Sequence, residues 1–149
     1  MNKKEKIIGT WKFESMIVHT SKGETIYPYG ENLFGMLIYT PSGHMSVLLM
    51  HPDRKKFTSD DPLAGASEEI KEAYEGFDAY CGTYTFDKEK GAVTHHIEGS
   101  KFPNWVGSDQ VRYFEFSDDR LLLKATLRIK GEDWHFEAVL EPLHSGSVY

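Results

Sequence analysis

A single cysteine, Cys81, in a chain of 149 residues excludes an internal disulfide framework and a zinc ribbon, because each needs several thiols. Long hydrophobic runs are also missing. Nothing approaches the ~18 consecutive apolar residues of a membrane helix, and the N-terminal segment lacks the apolar core of a signal peptide. A cytoplasmic protein with no membrane partner is therefore expected. Positive charge is scarce: 17 Lys and Arg stand against 23 Asp and Glu, a formal charge of −6. Nucleic-acid affinity rests on clustered cations that displace phosphate counterions, so this balance argues against a nucleic-acid partner. The one basic cluster, Asn2-Lys3-Lys4-Glu5-Lys6, is diluted by Glu5 and reads as a solvated tail. Fixed-period repeats and low-complexity linkers are absent, and a single domain over 1–149 is expected. Aromatic residues, at 13%, are abundant enough to suit β-strands or an aromatic-lined cavity.

Period-two alternation runs through most of the chain. From Ile7 to Val18, Trp11, Phe13, Ser15 and Ile17 alternate with Lys12, Glu14, Met16 and Val18, a long half-buried strand. A short extended piece, Glu24 to Tyr27, follows. Phe34 to Thr40 and His44 to Met50 flank Pro41-Ser42-Gly43 and form the clearest hairpin, with Pro presetting the turn and Gly free to take positive φ. Both arms are too apolar to assign a face. After an irregular polar segment, His51 to Gly65, comes the strongest helix signal. Ser67 is the expected N-cap, Glu68 and Glu69 suit the dipole in the first turn, and Ile70, Ala73, Tyr74, Phe77 and Cys81 share a stripe that Gly82 ends. Gly76 weakens its interior by about 1 kcal/mol relative to alanine, so the helix reads as a docked cover. Strands resume at Thr83 to Phe86. Two late strands have the cleanest faces: Leu121, Leu123, Ala125 and Leu127, then Trp134, Phe136, Ala138 and Leu140. Pro142 ends the last one, and a loose tail is expected from His144 to Tyr149.

About nine segments with short connections favour an all-β, antiparallel up-and-down sheet that closes into a barrel, with one inserted helix covering it. An eight-stranded barrel has room for one small ligand.

The chemistry concentrates between Val93 and Arg112, in a strand (Ala92 to Gly99), a loop and a second strand (Asp109 to Phe116). If Glu98 lies opposite Gln110, then His96 lies opposite Arg112 and Thr94 opposite Phe114, and one face carries an imidazole, a carboxylate, an amide and a guanidinium. Whether that face or the one with Val93, His95 and Ile97 points inward is open. His95 and His96 are adjacent, hence on opposite faces, and no spacing matches a zinc pattern, so no metal is expected; one histidine exposed and the other hydrogen-bonded inside is preferred. Trp105, with Phe102, Pro103 and Asn104, is placed to fold over a barrel mouth. Tyr39, Tyr84 and Trp11 fall where barrel interiors are lined. Cys81 has no basic neighbour in sequence and the serines have no nucleophile-elbow context, so neither is expected as a nucleophile.

The residues Gly9-Thr10-Trp11, Leu37 to Ser46, Gly82-Thr83-Tyr84, Val93 to Ser100 and Phe102 to Gly107 together resemble the bacterial and fungal lipocalin-like domain family of the calycin superfamily. That resemblance implies a calycin barrel with an apolar small-molecule cavity. It also implies a basic side chain over Trp11, for which Arg112 and Arg128 both serve. Some members look like pathway proteins that handle polyketide-type metabolites. The expected function is binding of a small hydrophobic ligand with a polar group, through Tyr39, Tyr84, His96, Glu98, Trp105, Gln110 and Arg112, without a cofactor and as a monomer or homodimer. An enzyme is the alternative: an isomerase, cyclase or dehydratase in which His96 or Glu98 moves a proton and Arg112 steadies an oxyanion. A structural module with a filled core is a third reading.

Overall fold

Alternating side chains with short turns between them give nine antiparallel strands in the computed structural model, which describes residues 2–144. In chain order these are β1 (Gly9–Thr20), β2 (Thr25–Ile26), β3 (Phe34–Tyr39), β4 (His44–Met50), β5 (Phe77–Asp87), β6 (Ala92–Ser100), β7 (Asp109–Ser117), β8 (Arg120–Ile129) and β9 (Glu132–Leu143). All but β2 form a cylinder, because β9 pairs back onto β1 from Thr10 with Leu143 to Thr20 with Trp134. Closure satisfies the backbone groups that an open sheet would leave bare at its edges. Among the described residues two helices complete the fold, α1 (Lys3–Ile7) and α2 (Ser67–Glu75), together with a 3-10 turn at Pro103–Trp105. None of the described helices is long and apolar enough to cross a membrane. The end of the tail expected to be loose, residues 145–149, lies outside the described residues.

Up-and-down order sends alternate strand ends to opposite rims, and the two rims differ. At one, Trp11, Tyr39, Val93, Phe114, Leu121 and Leu140 pack into a solid core. Here α1 is the stopper: Asn2 caps it, Ile7 is fully buried, and the Trp11 indole N–H donates to the Ile7 carbonyl at 2.8 Å. The basic segment read as a solvated tail is therefore a short capped helix, with Lys6 over the Phe116 ring. The arginines considered for Trp11 are engaged elsewhere, Arg128 with Asp133 and Arg112 beside Tyr80. Trp11→Phe shrinks the ring in this core and strands the buried Ile7 carbonyl, so it should cost about 2–4 kcal/mol by urea denaturation.

The β3–β4 hairpin forms where expected and resolves its own ambiguity of face. Leu37, Tyr39, Met45, Val47 and Leu49 point inward, while Met36, Ile38, Leu48 and Met50 stay half-buried outside. β8 and β9 keep the inward residues read from sequence. Three expectations change, the smallest being that β9 runs on through Pro142, which pairs with Trp11, to Leu143. In β1 the register shifts between Phe13 and Ser15, so the inward set passes from Trp11 and Phe13 to Met16, Val18 and Thr20. A bulge inserts one residue and so swaps the faces beyond it.

The larger correction concerns α2. It ends at Gly76, which caps it, and Phe77 already begins β5. Phe77 and Cys81 continue a helical stripe on paper, yet Asp78, Tyr80, Gly82 and Tyr84 also alternate with Phe77, Ala79, Cys81 and Thr83, and tertiary pairing with β4 takes the second pattern. The N-cap is Ala66 rather than Ser67. Glu69 reaches back to the Ala66 amide and also accepts from the Thr58 amide, which lowers its pKa.

Candidate ligand cavity

The rim opposite α1 is open, and above the solid core the barrel encloses a cavity of about 730 Å3. This lies within the ~300–1,000 Å3 usual for small-molecule sites. Around its mouth stand Pro28 and Tyr29, the α2 end with Tyr74 and Glu75, Phe102 in the β6–β7 connection, and Arg128 to Lys130 at the β8–β9 turn. Deeper, one wall is hydrocarbon and aromatic: Phe13, Met16, Leu123, Ala125, Trp134, Phe136 and Ala138. The facing wall, from β5, β6 and β7, carries Asp78, Tyr80, His95 and Arg112.

Register decides which histidine joins that wall. β6 and β7 pair Val93 with Arg112, His95 with Gln110 and His96 with Asp109. This is three residues away from the pairing considered above. The connection from Ile97 to Ser108 is longer than that pairing requires, since Ile97 and Ser108 bond through their backbones around the 3-10 turn. An odd slip turns every side chain over. His95, Gln110 and Arg112 therefore share a face, and His96 and Glu98 lie on the other.

Corrections to the expected site follow residue by residue. Glu98 is exposed, at the point where β6 is bulged against β5. His96 sits outside, bridging Asp109 at 2.8 Å and Thr85 at 2.7 Å across three strands. Neither can move a proton inside the barrel. Gln110 is half-buried opposite His95. Tyr84 is half-buried, donates its hydroxyl to the Thr40 carbonyl at 2.8 Å and meets Tyr39 edge-on; it pins the hairpin turn rather than facing the cavity. Trp105 and Arg112 do line the cavity, with Trp105 edge-on to both Tyr80 and Phe102. Tyr39 lies beneath the cavity, fully buried, where its hydroxyl meets His95 Nε2 at 2.6 Å. Asp78, Tyr80 and His95 line the cavity but were not among the expected ligand-binding residues. The first two were hidden in an overextended helix, and the period-two pattern of Asp78, Tyr80, Gly82 and Tyr84 was the signal that could have found them.

The polar wall is a chain of contacts. Tyr80 meets His95 Nδ1 at 2.7 Å, and the Arg112 guanidinium lies beside the Tyr80 hydroxyl, its charge opposing the upward pull of burial on that phenol. Burial, and next the Arg112 charge, push the His95 pKa down to about 3, so the imidazole is neutral and has one N–H and one acceptor nitrogen. Satisfying every donor selects the tautomer. Among the described residues His95 Nε2 is the hydrogen-bond partner of the Tyr39 hydroxyl, so Tyr39 must donate to Nε2, or its own proton is left buried at a cost of about 1–3 kcal/mol. Nδ1 then carries the hydrogen and donates to the Tyr80 oxygen. The Tyr80 proton has no remaining taker in this chain of contacts, and Tyr80 borders the cavity. Burial raises the pKa of Tyr39 and Tyr80, so both phenols stay protonated as donors.

Nearer the mouth, burial raises the pKa of Asp78, against the lowering pull of Lys101 and Arg112. Burial and the Asp78 charge likewise raise that of Tyr29. Lys101 donates to the carbonyls of Tyr74 and Phe77 and lies over the Tyr74 ring, which ties the α2 end to the β6–β7 connection. Burial lowers the Lys101 pKa.

Comparison with known proteins agrees with this architecture. The model of the lipocalin-like domain family matches residues 8–141. A 4'-hydroxy-3'-methoxypropiophenone carrier protein of Aspergillus oryzae is 31% identical over 85 residues, covering 53% of this chain and 77% of that protein.

Proposed function

The chain belongs to the lipocalin-like domain family, and from that premise we propose that it is a carrier, enclosing a small, flat, largely apolar molecule whose oxygen substituent lies against the polar wall. One observation supports this reading: opposite a wall of hydrocarbon and aromatic side chains, Tyr80 and Arg112 line the cavity side by side and bring two donor groups to its polar wall. A ligand acceptor there, a ketone, phenolate or carboxylate, receives hydrogen bonds that the empty cavity leaves to solvent. Trp134, Phe136 and Trp105 supply stacking surface for an aromatic ring. The ligand named for the Aspergillus relative, an aryl ketone bearing a phenol, has this combination. Catalysis by His95 is not part of the proposal, because a base with a pKa near 3 is far from the operating pH at which proton transfer is efficient.

Isothermal titration with 4'-hydroxy-3'-methoxypropiophenone tests the reading. Saturable binding at one site per chain is expected. Arg112→Met, which keeps the stem and removes the charged donor, should weaken it about tenfold or more. Absence of saturable uptake, or an Arg112→Met protein that binds as the parent does, would sink the proposal.

A further inference from the structure

Asp78 is the one carboxylate among the described residues on the polar wall, and neither the packing of the fold nor the carrier reading requires an acid there. It precedes Tyr80 by two residues on β5, so the two side chains share a face and their Cα atoms are about 6.6–6.8 Å apart. Arg112 interacts with both. A proton acceptor and a donor thus face the same cavity from neighbouring positions on one face of β5.

Resting on the carrier reading, we propose that the cavity enolises bound ketones, with Asp78 as general base and Tyr80 with Arg112 as the oxyanion donors. In this step an Asp78 oxygen takes the proton from the carbon next to the carbonyl. The C–H electron pair becomes the C=C bond, and the C=O π pair moves to oxygen. The resulting enolate oxygen accepts from the Tyr80 hydroxyl and from Arg112. Returning the proton from Asp78 to the same carbon regenerates the ketone; where a further C=C is conjugated with the enolate, returning it to the far carbon of that system shifts the double bond. No oxidant, reductant or metal enters the balance.

The surroundings suit these roles. Tyr80 is held on its far side by His95, itself held by Tyr39, so the phenol is fixed in place before charge develops and needs no reorganisation. Burial of Asp78 makes it a stronger base than a solvated aspartate. A buried neutral histidine between two tyrosines accepts no proton itself, which leaves Asp78 as the acceptor.

Proton NMR in deuterated buffer tests the step, with 4'-hydroxy-3'-methoxypropiophenone as probe. Its CH2 group next to the carbonyl exchanges on enolisation, while its terminal methyl does not and serves as intensity reference. With the parent protein the CH2 signal should vanish at least 100-fold faster than in buffer alone, and the methyl triplet should collapse. Asp78→Asn should return exchange to within about threefold of buffer while calorimetry still shows binding. Tyr80→Phe, an independent variant that leaves the base intact, should slow exchange about 10- to 100-fold. Bound ketone that exchanges at the buffer rate, or an Asp78→Asn protein that exchanges like the parent, overturns the enolisation step and leaves the carrier reading standing. A probe that does not bind overturns both.

Discussion

Acidification from pH 6.5 to 3 should strip about 1.4 kcal/mol of folding free energy for each pH unit through His95 alone, several kcal/mol over the window. In the unfolded chain the imidazole titrates near 6.5, whereas burial and the Arg112 charge bring it to about 3 in the folded one. Between those values the unfolded chain holds a proton that the folded chain refuses, so falling pH draws the equilibrium toward unfolding. The contribution is fully present above 6.5 and exhausted below 3. Asp78 acts in the opposite sense, since its raised folded pKa makes the native state the better proton acceptor just above the ordinary aspartate value. Glu69, lowered by its amide hydrogen bonds, adds to the loss in the carboxylate range. Urea denaturation at pH 7, 5.5 and 4.5 measures the slope. In His95→Gln, whose amide lacks the titration, stability at pH 7 should drop but the acid slope should flatten. An unchanged slope would show that protonation of this imidazole does not govern the acid limb.

Gly82→Ala should cost at least about 3 kcal/mol and leave little folded protein at 37 °C. A Cβ built on Gly82 falls 1.9 Å from the His96 carbonyl oxygen and 3.0 Å from its carbonyl carbon. Those atoms are backbone, at the point where the β5–β6 register slips between Cys81 and Gly82, and they cannot rotate away as a side chain can. Overpacking a core costs about 1–3 kcal/mol even where neighbours yield, and more where they do not. Gly43→Ala is the informative comparison. Nothing lies within 4 Å of its added Cβ, and it carries only the strain of a φ of +88°; it should be the milder of the two in thermal melting. Equal losses at both positions would mean that the close strand approach at Gly82 is not what excludes a side chain.

These two residues also show how unevenly the molecule could be read in advance. Gly82 looked like the end of a helix because Phe77 and Cys81 extend the stripe of Ile70 and Tyr74, and local periodicity cannot choose when two periods fit one segment. Pairing of Phe77 to Thr83 with β4 chose the strand, and so brought Asp78 and Tyr80 into the cavity. His95 and His96 were legible as one inside and one outside, since neighbours on a strand alternate. Which was which depended on a slip of three residues set by the length and 3-10 turn of the Ile97–Ser108 connection. Arg112 and Trp105 do line the cavity, since their places, on a strand and in the loop at a mouth, did not depend on the polar partners assumed for them.

Alternation along the strands, the proline-glycine hairpin turn and the short connections pointed to a closed antiparallel barrel, since these are local properties of side-chain period and turn chemistry. The site is not local in that sense. Whether a strand residue faces the cavity reverses with any odd shift of register, and a carboxylate becomes a base only among the particular neighbours that bury it. Both depend on contacts between residues far apart in the chain, and so the cavity wall of Asp78, Tyr80, His95 and Arg112 came into view only with the barrel assembled.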